Sequence, residues 1–323
     1  MTSLIIAIPS KGRLQEQTLD YLADAGMKLA QSGGARDYTA RLSGAANVTV
    51  SLLSAAEIAD ELISGRVHMG VTGEDLLAEH GAGGNVLVIE RLGFGRADVV
   101  VAVPRSWIDV STMADLDDVA AAFHARHHRK LRVATKFVTL SRRFFADHGI
   151  ADYRIIESLG ATEGAPAAGT AEVIVDITTT GATLTANELK ILDDGTILKS
   201  EAALTASLKA NWSPVVREAA RSILDRIGAR VLGKSSRIVE LPGTTLDDAT
   251  LSSLAASGVK PVPAREAGGT SLLVPEQKVD AVVARLREAH ADALVLLHKP
   301  SQIFAPGNAL FQRLEEALAR PSV

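Results

Sequence analysis

The sequence predicts an α/β protein: parallel sheets covered by helices, with a smaller ferredoxin-like βαββαβ domain at the C-terminal end. Three observations carry this. Short apolar, β-branched runs at residues 4–8, 48–53 and 67–71 alternate with helical patterns at 14–25, 55–63 and 74–79, the rhythm of a parallel sheet with crossover helices. The rhythm continues with strands at 86–90, 98–103, 131–135, 153–157 and 172–177 and a helix at 140–147. After Gly233 it changes to strand 237–241, helix 246–256, strands 259–263 and 271–274, helix 276–289 and strand 293–298, the order of a ferredoxin-like unit.

The remaining elements follow from local chemistry. A helix is expected at 184–189, and a hairpin at 189–193 and 196–199 around Asp194-Gly195. An amphipathic helix is expected at 214–227, with Pro214 near its start. Lys234-Ser235-Ser236 reads as a linker, and a last helix covers 310–319.

Composition narrows the function classes. The 323 residues are 47% hydrophobic and 22% charged, an ordinary globular balance. Lys plus Arg number 34 and Asp plus Glu 38, a formal net charge of −4, which argues against a dedicated nucleic-acid binder. There is no cysteine, so disulfides, thiolate metal sites and a cysteine nucleophile are excluded. No apolar run reaches the ~18 residues needed to span a bilayer. Residues 4–8, followed at once by Lys11-Gly12-Arg13, read as a first buried strand and not a signal peptide. A cytoplasmic protein without membrane or nucleic-acid partners is expected.

The sharpest stretch runs from Asp176 through Ile177-Thr178-Thr179-Thr180-Gly181-Ala182-Thr183-Leu184. A buried strand delivers an acid, then a hydroxyl-rich turn, then a helix start, where backbone N–H groups favour an anion. Thr179, Thr180 and Thr183 add hydroxyl donors, and Gly181 lets backbone approach a phosphate. Asp176 sits where it can grip ribose hydroxyls. A plain threonine helix cap is the competing explanation.

A second stretch, Ser10-Lys11-Gly12-Arg13-Leu14, places two cations at the end of the first strand, where ligands of open α/β sheets bind; a solvated basic turn is its alternative. Gly70-Val71-Thr72-Gly73-Glu74-Asp75-Leu76 again joins strand to helix, though acids there also complement a helix dipole. Thr162-Glu163-Gly164 before Pro166 reads as a capped helix as readily as a site. Gly228-Ala229-Arg230-Val231-Leu232-Gly233-Lys234-Ser235 matches the phosphate-loop pattern letter for letter. It lacks the strand before and helix after that the mechanism requires, so Gly228 is taken as a helix stop. His124, His127 and His128 are taken as a solvated face.

Together these stretches resemble the ATP phosphoribosyltransferase family of histidine biosynthesis. The resemblance rests on Ser10–Leu14, Gly70–Leu76, Leu92-Gly93-Phe94-Gly95, Arg132-Val133-Ala134-Thr135, Glu163-Gly164-Ala165-Pro166 and above all Asp176–Leu184. They occur in family order over residues 1 to 230, and the C-terminal part is similar in position and order to the regulatory domain of the long form.

The resemblance implies two lobes like a type II periplasmic binding protein: lobe I from 1–104 and 187–230, lobe II from 105–186 with the loop for phosphoribosyl pyrophosphate (PRPP), and a regulatory domain at 231–323. It implies transfer of phosphoribosyl from PRPP to N1 of ATP with Mg²⁺, the metal carried by substrate phosphates. Asp176 would hold the ribose hydroxyls, and Thr179, Thr180, Gly181, Ala182, Thr183 and Leu184 the 5′-phosphate. Lys11 and Arg13 would meet phosphates as catalytic cations, while Gly12, Gly73, Glu74 and Glu163 would line the ATP side. Histidine is the implied inhibitor, and a homo-oligomer (dimer or hexamer) the implied assembly. Two departures stand out: Ser54-Ala55-Ala56 replaces the family's Arg before Asp-Ile-Pro, and a basic residue common near Asp98 is missing, with Arg96 two positions earlier. A solute receptor and a nucleobase phosphoribosyltransferase are the rival readings; the latter usually shows two adjacent acids, where Val175 precedes Asp176 here.

Overall fold

The computed structural model describes residues 3–31 and 39–320 of the chain. The first strand, β1 (Leu4–Pro9), is apolar throughout and almost wholly buried, as a central parallel strand must be. After it come α1 (Gly12–Asp24), β2 (Leu29–Gln31), β3 (Thr39–Leu42), β4 (Val48–Leu53), α2 (Ala55–Ser64), β5 (Met69–Gly73), α3 (Glu74–Glu79) and β6 (Val86–Arg91). The short pair β2 and β3 is not foreseen by periodicity, which has little to grip in so few residues. A distant strand, β12 (Ala202–Ser207), completes this sheet in the order β2-β3-β4-β1-β5-β12-β6 and runs antiparallel to both neighbours.

The second lobe contains β7 (Asp98–Pro104), α4 (Met113–His127), β8 (Leu131–Thr135), α5 (Val138–Asp147), β9 (Tyr153–Glu157), β10 (Val173–Thr178), α6 (Ala182–Ala186) and β11 (Leu189–Leu198). Its sheet order is β11-β7-β10-β8-β9, with β7 antiparallel to β10 and β11. The two lobes share one plan. Reading β4-β1-β5-β12-β6 against β9-β8-β10-β7-β11, the fourth of the five strands runs antiparallel to its neighbours in both sheets.

These pairings correct the expected partition. Strands β7 and β11, placed by sequence in lobe I, belong to the second sheet. The alternating Val99, Val101 and Val103 of β7 pack with Val133, Val173 and Val175, an apolar face that only that sheet can bury. The expected hairpin is also replaced by one continuous strand, β11, with register shifts between Ile191 and Leu198. Asp194 is not in a turn; its Oδ1 accepts the N–H of Met113 at the start of α4 (2.8 Å).

Glu172, just before β10, ties that strand to β8. Its carboxylate accepts from the Arg132 N–H (2.8 Å) and the Arg132 (2.7 Å) and Arg129 (3.1 Å) guanidinium groups. Burial alone would raise its pKa, but these donors outweigh it and hold the carboxyl down at about 2.

The chain re-enters lobe I through β12 and continues as α7 (Pro214–Ser235), then β13 (Ser236–Leu241), α8 (Asp248–Ala255), β14 (Lys260–Val262), β15 (Thr270–Pro275), α9 (Val279–Ala289) and β16 (Leu296–His298). The last sheet is antiparallel throughout, in the order β14-β15-β13-β16, as the ferredoxin-like reading requires. Val239, Leu241, Leu272 and Val274 pack beneath Leu254 of α8 and Val282 and Leu286 of α9.

No linker precedes this domain. Helix α7 absorbs the whole phosphate-loop look-alike and Lys234-Ser235, and β13 begins at Ser236. Gly228 therefore does not stop the helix. Gly233 serves close approach: a Cβ there would lie 2.8 Å from the Ser301 carbonyl oxygen. The final helix, α10 (Ala309–Ala319), folds back onto lobe I. Leu310, Phe311 and Leu314 enter the core formed by Ile223, Leu224 and Ile227 of α7 and Ile89 of β6. The Asn308 side chain caps α10 by accepting from the Leu310 and Phe311 N–H groups (3.0 Å each). The Arg313 guanidinium donates to the Ile89 carbonyl (2.6 Å). Residues 231–323 are thus not one separate unit. Among the described residues, no helix is long and apolar enough to cross a membrane.

Leu314 is fully buried, so Leu314→Ala should destabilise lobe I by about 2–5 kcal/mol. Urea unfolding followed through Trp212, a residue of that core, in a Trp107→Phe background, would read this. For Glu172 the folded pKa lies below the ordinary 4.5, so its stabilisation is present above that value and lost as pH falls toward 2. Glu172→Gln should cost about 1–3 kcal/mol at pH 7. Its deficit against the parent should close between pH 4.5 and 2, as measured by denaturation at each pH.

Candidate active site

The chain leaves lobe I from the end of β6, enters lobe II at the start of antiparallel β7, and returns from the end of β11. The C-terminal ends of the parallel strands in both sheets therefore lie at the two crossings, the edge where open α/β sheets bind ligands. The crossing segments, 92–97 and 199–201, are hydrogen-bonded to each other and to their flanks. Ala97 N–H donates to the Ser200 carbonyl (3.0 Å), Ala202 N–H to Phe94 (3.0 Å) and Leu92 N–H to Ala202 (2.9 Å).

In lobe II, β10 buries Val173, Ile174 and Val175, and half-buried Asp176 follows them two residues before the strand ends. Burial raises the Asp176 carboxyl above the ordinary aspartate range. The Ile177 N–H (2.8 Å) and the Lys136 charge pull it back, and the Glu163 charge pushes it up. Glu163 itself is half-buried in a single 3₁₀ turn, Thr162–Gly164.

The threonine turn is internally wired. Thr178 Oγ1 accepts the Gly181 N–H (2.8 Å) and Thr180 Oγ1 the Ala182 N–H (3.4 Å), while Thr179 Oγ1 donates to the Arg96 carbonyl in the first crossing (2.9 Å). Gly181 has φ of +74°, a conformation that costs glycine nothing. The helix that follows, α6, has only five residues and starts earlier than expected. The anion-binding reading therefore rests on the turn's hydroxyls and backbone and not on a long helix dipole. Thr180, Ala182 and Thr183 are exposed. Leu184 is a correction: its side chain is 3% exposed, in the lobe II core with Ile174 and Leu189, so only its backbone can face a ligand.

In lobe I, β1 and β5 are neighbours, so the Lys11–Arg13 turn and the Gly73–Asp75 turn share one edge. Lys11, Gly12 and Arg13 are exposed at the start of α1, with Gly12 at φ +76°. Gly73 precedes α3, and a Cβ there would collide with the Asp75 carboxylate. Glu74 is engaged by the Arg91 guanidinium (2.9–3.1 Å), so the acid expected on the ATP side is already paired. Ser54, at the family's arginine position, instead makes a capping box with Glu57 at the start of α2 (2.8 and 3.3 Å).

Sequence reasoning names Asp75 only as part of the Gly70–Leu76 stretch, without a role of its own, and passes over Lys136. Asp75 is buried, and burial raises its pKa. The Ser200 hydroxyl (2.8 Å), backbone N–H groups and the Lys136 charge act the other way. Lys136 stands in the turn between β8 and α5, exposed, and its charge acts on Asp75 in lobe I and Asp176 in lobe II alike. A signal was available: Lys136 directly follows the buried strand β8, and Lys11 stands two residues past the end of β1. The Lys136 charge thus acts on Asp176 and on Asp75, and the Glu163 charge on Asp176. Lys11 and Arg13 stand on the same edge of lobe I, while the histidine-rich end of α4 lies elsewhere, with His124 on Asp152 (2.8 Å).

Comparison with known proteins places this architecture. Residues 54–229 match the model of the HisG family, ATP phosphoribosyltransferase. An ATP phosphoribosyltransferase of Bradyrhizobium diazoefficiens is 52% identical over 98% of both chains, and one of Caulobacter vibrioides 51% identical over 98% of both. Among solved structures, a chain of the ATP phosphoribosyl transferase (HisG:HisZ) complex of Thermotoga maritima is 26% identical with a TM-score of 0.53, covering 69% of this chain and 96% of that one. With matches of this identity running from end to end, the chain belongs to the ATP phosphoribosyltransferase family.

Proposed function

We propose that the chain transfers the 5-phosphoribosyl group of PRPP to N1 of ATP, releasing pyrophosphate, as the first step of histidine biosynthesis. The observation that carries this reading is the Asp176 carboxyl at the head of a threonine turn that is tied to the first crossing through Thr179 (2.9 Å), with the Lys136 charge acting on Asp176 and on Asp75. In this reading the acid grips the sugar, the turn takes its phosphate and the cation offsets phosphate charge. Asp176 binds the ribose hydroxyls of PRPP. Thr179, Thr180, Gly181, Ala182, Thr183 and the Leu184 backbone hold the 5′-phosphate. Lys11, Arg13 and Lys136 neutralise phosphate charge from both lobes. Gly12, Gly73 and Glu163 line the ATP side, and Glu74 fixes Arg91 there.

The adenine N1 lone pair forms the new bond to the anomeric carbon. The anomeric C–O bond breaks, and its electron pair leaves with pyrophosphate. Positive charge builds on the sugar and negative charge on the leaving group, so catalysis needs positioning and charge stabilisation more than a strong base. Among the described residues no three acid or histidine side chains converge on one point. Asp176 and Glu163, whose charges act on each other, fit the one- or two-carboxylate hold that Mg²⁺ takes alongside substrate phosphates. When bound, Mg²⁺ neutralises the leaving pyrophosphate.

On the same footing we place the chain in the cytoplasm as a dimer or hexamer inhibited by histidine. Its working units are two lobes joined at 92–97 and 199–201, with a regulatory domain of residues 236–298. A cavity of about 180 Å³ on the open face of that domain supports the inhibitor reading. Glu240, Arg265 and His298 line it, with Glu240 paired to both others (3.4 and 3.0 Å). A carboxylate and a guanidinium there suit the two charges of a free amino acid.

Purified protein with ATP, PRPP and Mg²⁺ should form phosphoribosyl-ATP, read as a rise in ultraviolet absorbance; tight binding without turnover would favour a receptor instead. Asp176→Asn should lose about 10²-fold in rate yet keep or gain thermal stability at pH 7, because a carboxyl whose folded pKa is raised destabilises the fold when ionised. In the parent, activity should fall with decreasing pH at a value above the ordinary aspartate pKa. Lys136→Met should raise KM for PRPP, and Glu240→Ala should relieve inhibition by added histidine while leaving uninhibited rates intact.

A further inference from the structure

Helix α5 has no cap of its own. Its N-cap position is Phe137, whose side chain cannot accept a hydrogen bond and makes no cap. The orphan N–H groups of its first turn are instead met from the other lobe. Thr139 N–H donates to Glu79 Oε1 (2.8 Å) and Leu140 N–H to Glu79 Oε2 (3.0 Å). These are the second and third helical positions, the donors that a local cap residue normally serves.

Glu79 is the last residue of α3. A carboxylate there opposes the dipole of its own helix and favours that of α5, whose N-terminus it faces. Its position is unfavourable for lobe I alone and favourable only when lobe II is docked. Lys136 lies three residues before Thr139, in the same short turn, and is exposed, with its ammonium 5.0 Å from the Phe137 ring centroid.

We propose that Glu79 is a positioning residue for the reaction: by capping α5 across the cleft, it joins the lobes and fixes the turn that carries Lys136. The proposal rests on the reading of Lys136 given above. The cap is complete only with the lobes together, so seating Lys136 and closing the cleft are one event. Glu79 does this without touching substrate.

The test compares the full-length parent with Glu79→Ala and Glu79→Gln, the latter keeping one oxygen acceptor without the charge. Amide hydrogen exchange at Thr139 and Leu140 should quicken about tenfold in Glu79→Ala, the change expected for a lost helix cap, with exchange in β7 unaltered. KM for PRPP should rise by about the same factor while kcat changes less than twofold, and Glu79→Gln should fall between parent and Glu79→Ala in both. Unaltered exchange at Thr139 and Leu140 overturns the cross-lobe cap. Faster exchange with an unaltered KM overturns the positioning role. If the parent forms no product from ATP and PRPP, the reading of the active site falls, and the exchange measurement alone decides the cap.

Discussion

Each sheet of the two lobes is incomplete without a strand that reaches it only by crossing. In lobe I, β12 fills the gap between β5 and β6; in lobe II, β7 fills the gap between β10 and β11. Both are buried nearly end to end, so neither gap can be left open without exposing apolar surface and unpaired backbone. The lobes are therefore obligatory partners, and the place where the chain passes between them is built into the core of each. The same topology turns the C-terminal strand ends of both sheets toward the crossings, so a site there takes groups from both lobes as a matter of connectivity.

The electrostatics of that site follow from burial. Asp75 and Asp176 are drawn out of water, which raises both pKa values, and each is held back by a few donors and by one shared cation, Lys136. Asp75 is anchored to the second crossing through the Ser200 hydroxyl (2.8 Å), and the threonine turn to the first through Thr179 and the Arg96 carbonyl (2.9 Å). Among the described residues Lys11, Arg13 and Lys136 form no ion pair. Arg91 is the contrast: its guanidinium is committed to Glu74.

Much of this was legible in sequence where one physical rule dominated. The buried runs of β1 and β10, the Thr-Gly turn and the order of the C-terminal elements all follow from periodicity and turn chemistry, and the structure agrees. Failures came where tertiary context overrode local pattern. Gly228 and Gly233 looked like punctuation, yet α7 passes through both, with Gly233 packed against the 301–302 segment and Gly228 beside the Asn308 side chain. Asp194-Gly195 looked like a hairpin turn, but Asp194 caps α4 within a continuous strand. Leu184 lay inside a binding motif and proved to be core. Lys136 was missed because no motif surrounds it; the two acids on which its charge acts are distant in sequence.

The C-terminal domain is held at both ends by lobe I. Helix α7 contributes Ile223, Leu224 and Ile227 to that lobe's core and then runs without a break into β13; α10 returns from the domain to pack against the same residues. Two further ties, Arg217 to Glu315 (3.2 Å) and Asn308 to Asp225 (2.5 Å), pin the returning helix to the outgoing one. A domain attached by one flexible linker could change shape without consequence for the lobe. One entered by a rigid helix and left by another cannot move far without moving both, and both bear on the core behind β6, the strand that leads into the first crossing. A shift of the distal sheet would therefore reach the cleft by a short mechanical path, through packed helices, with no flexible element between them.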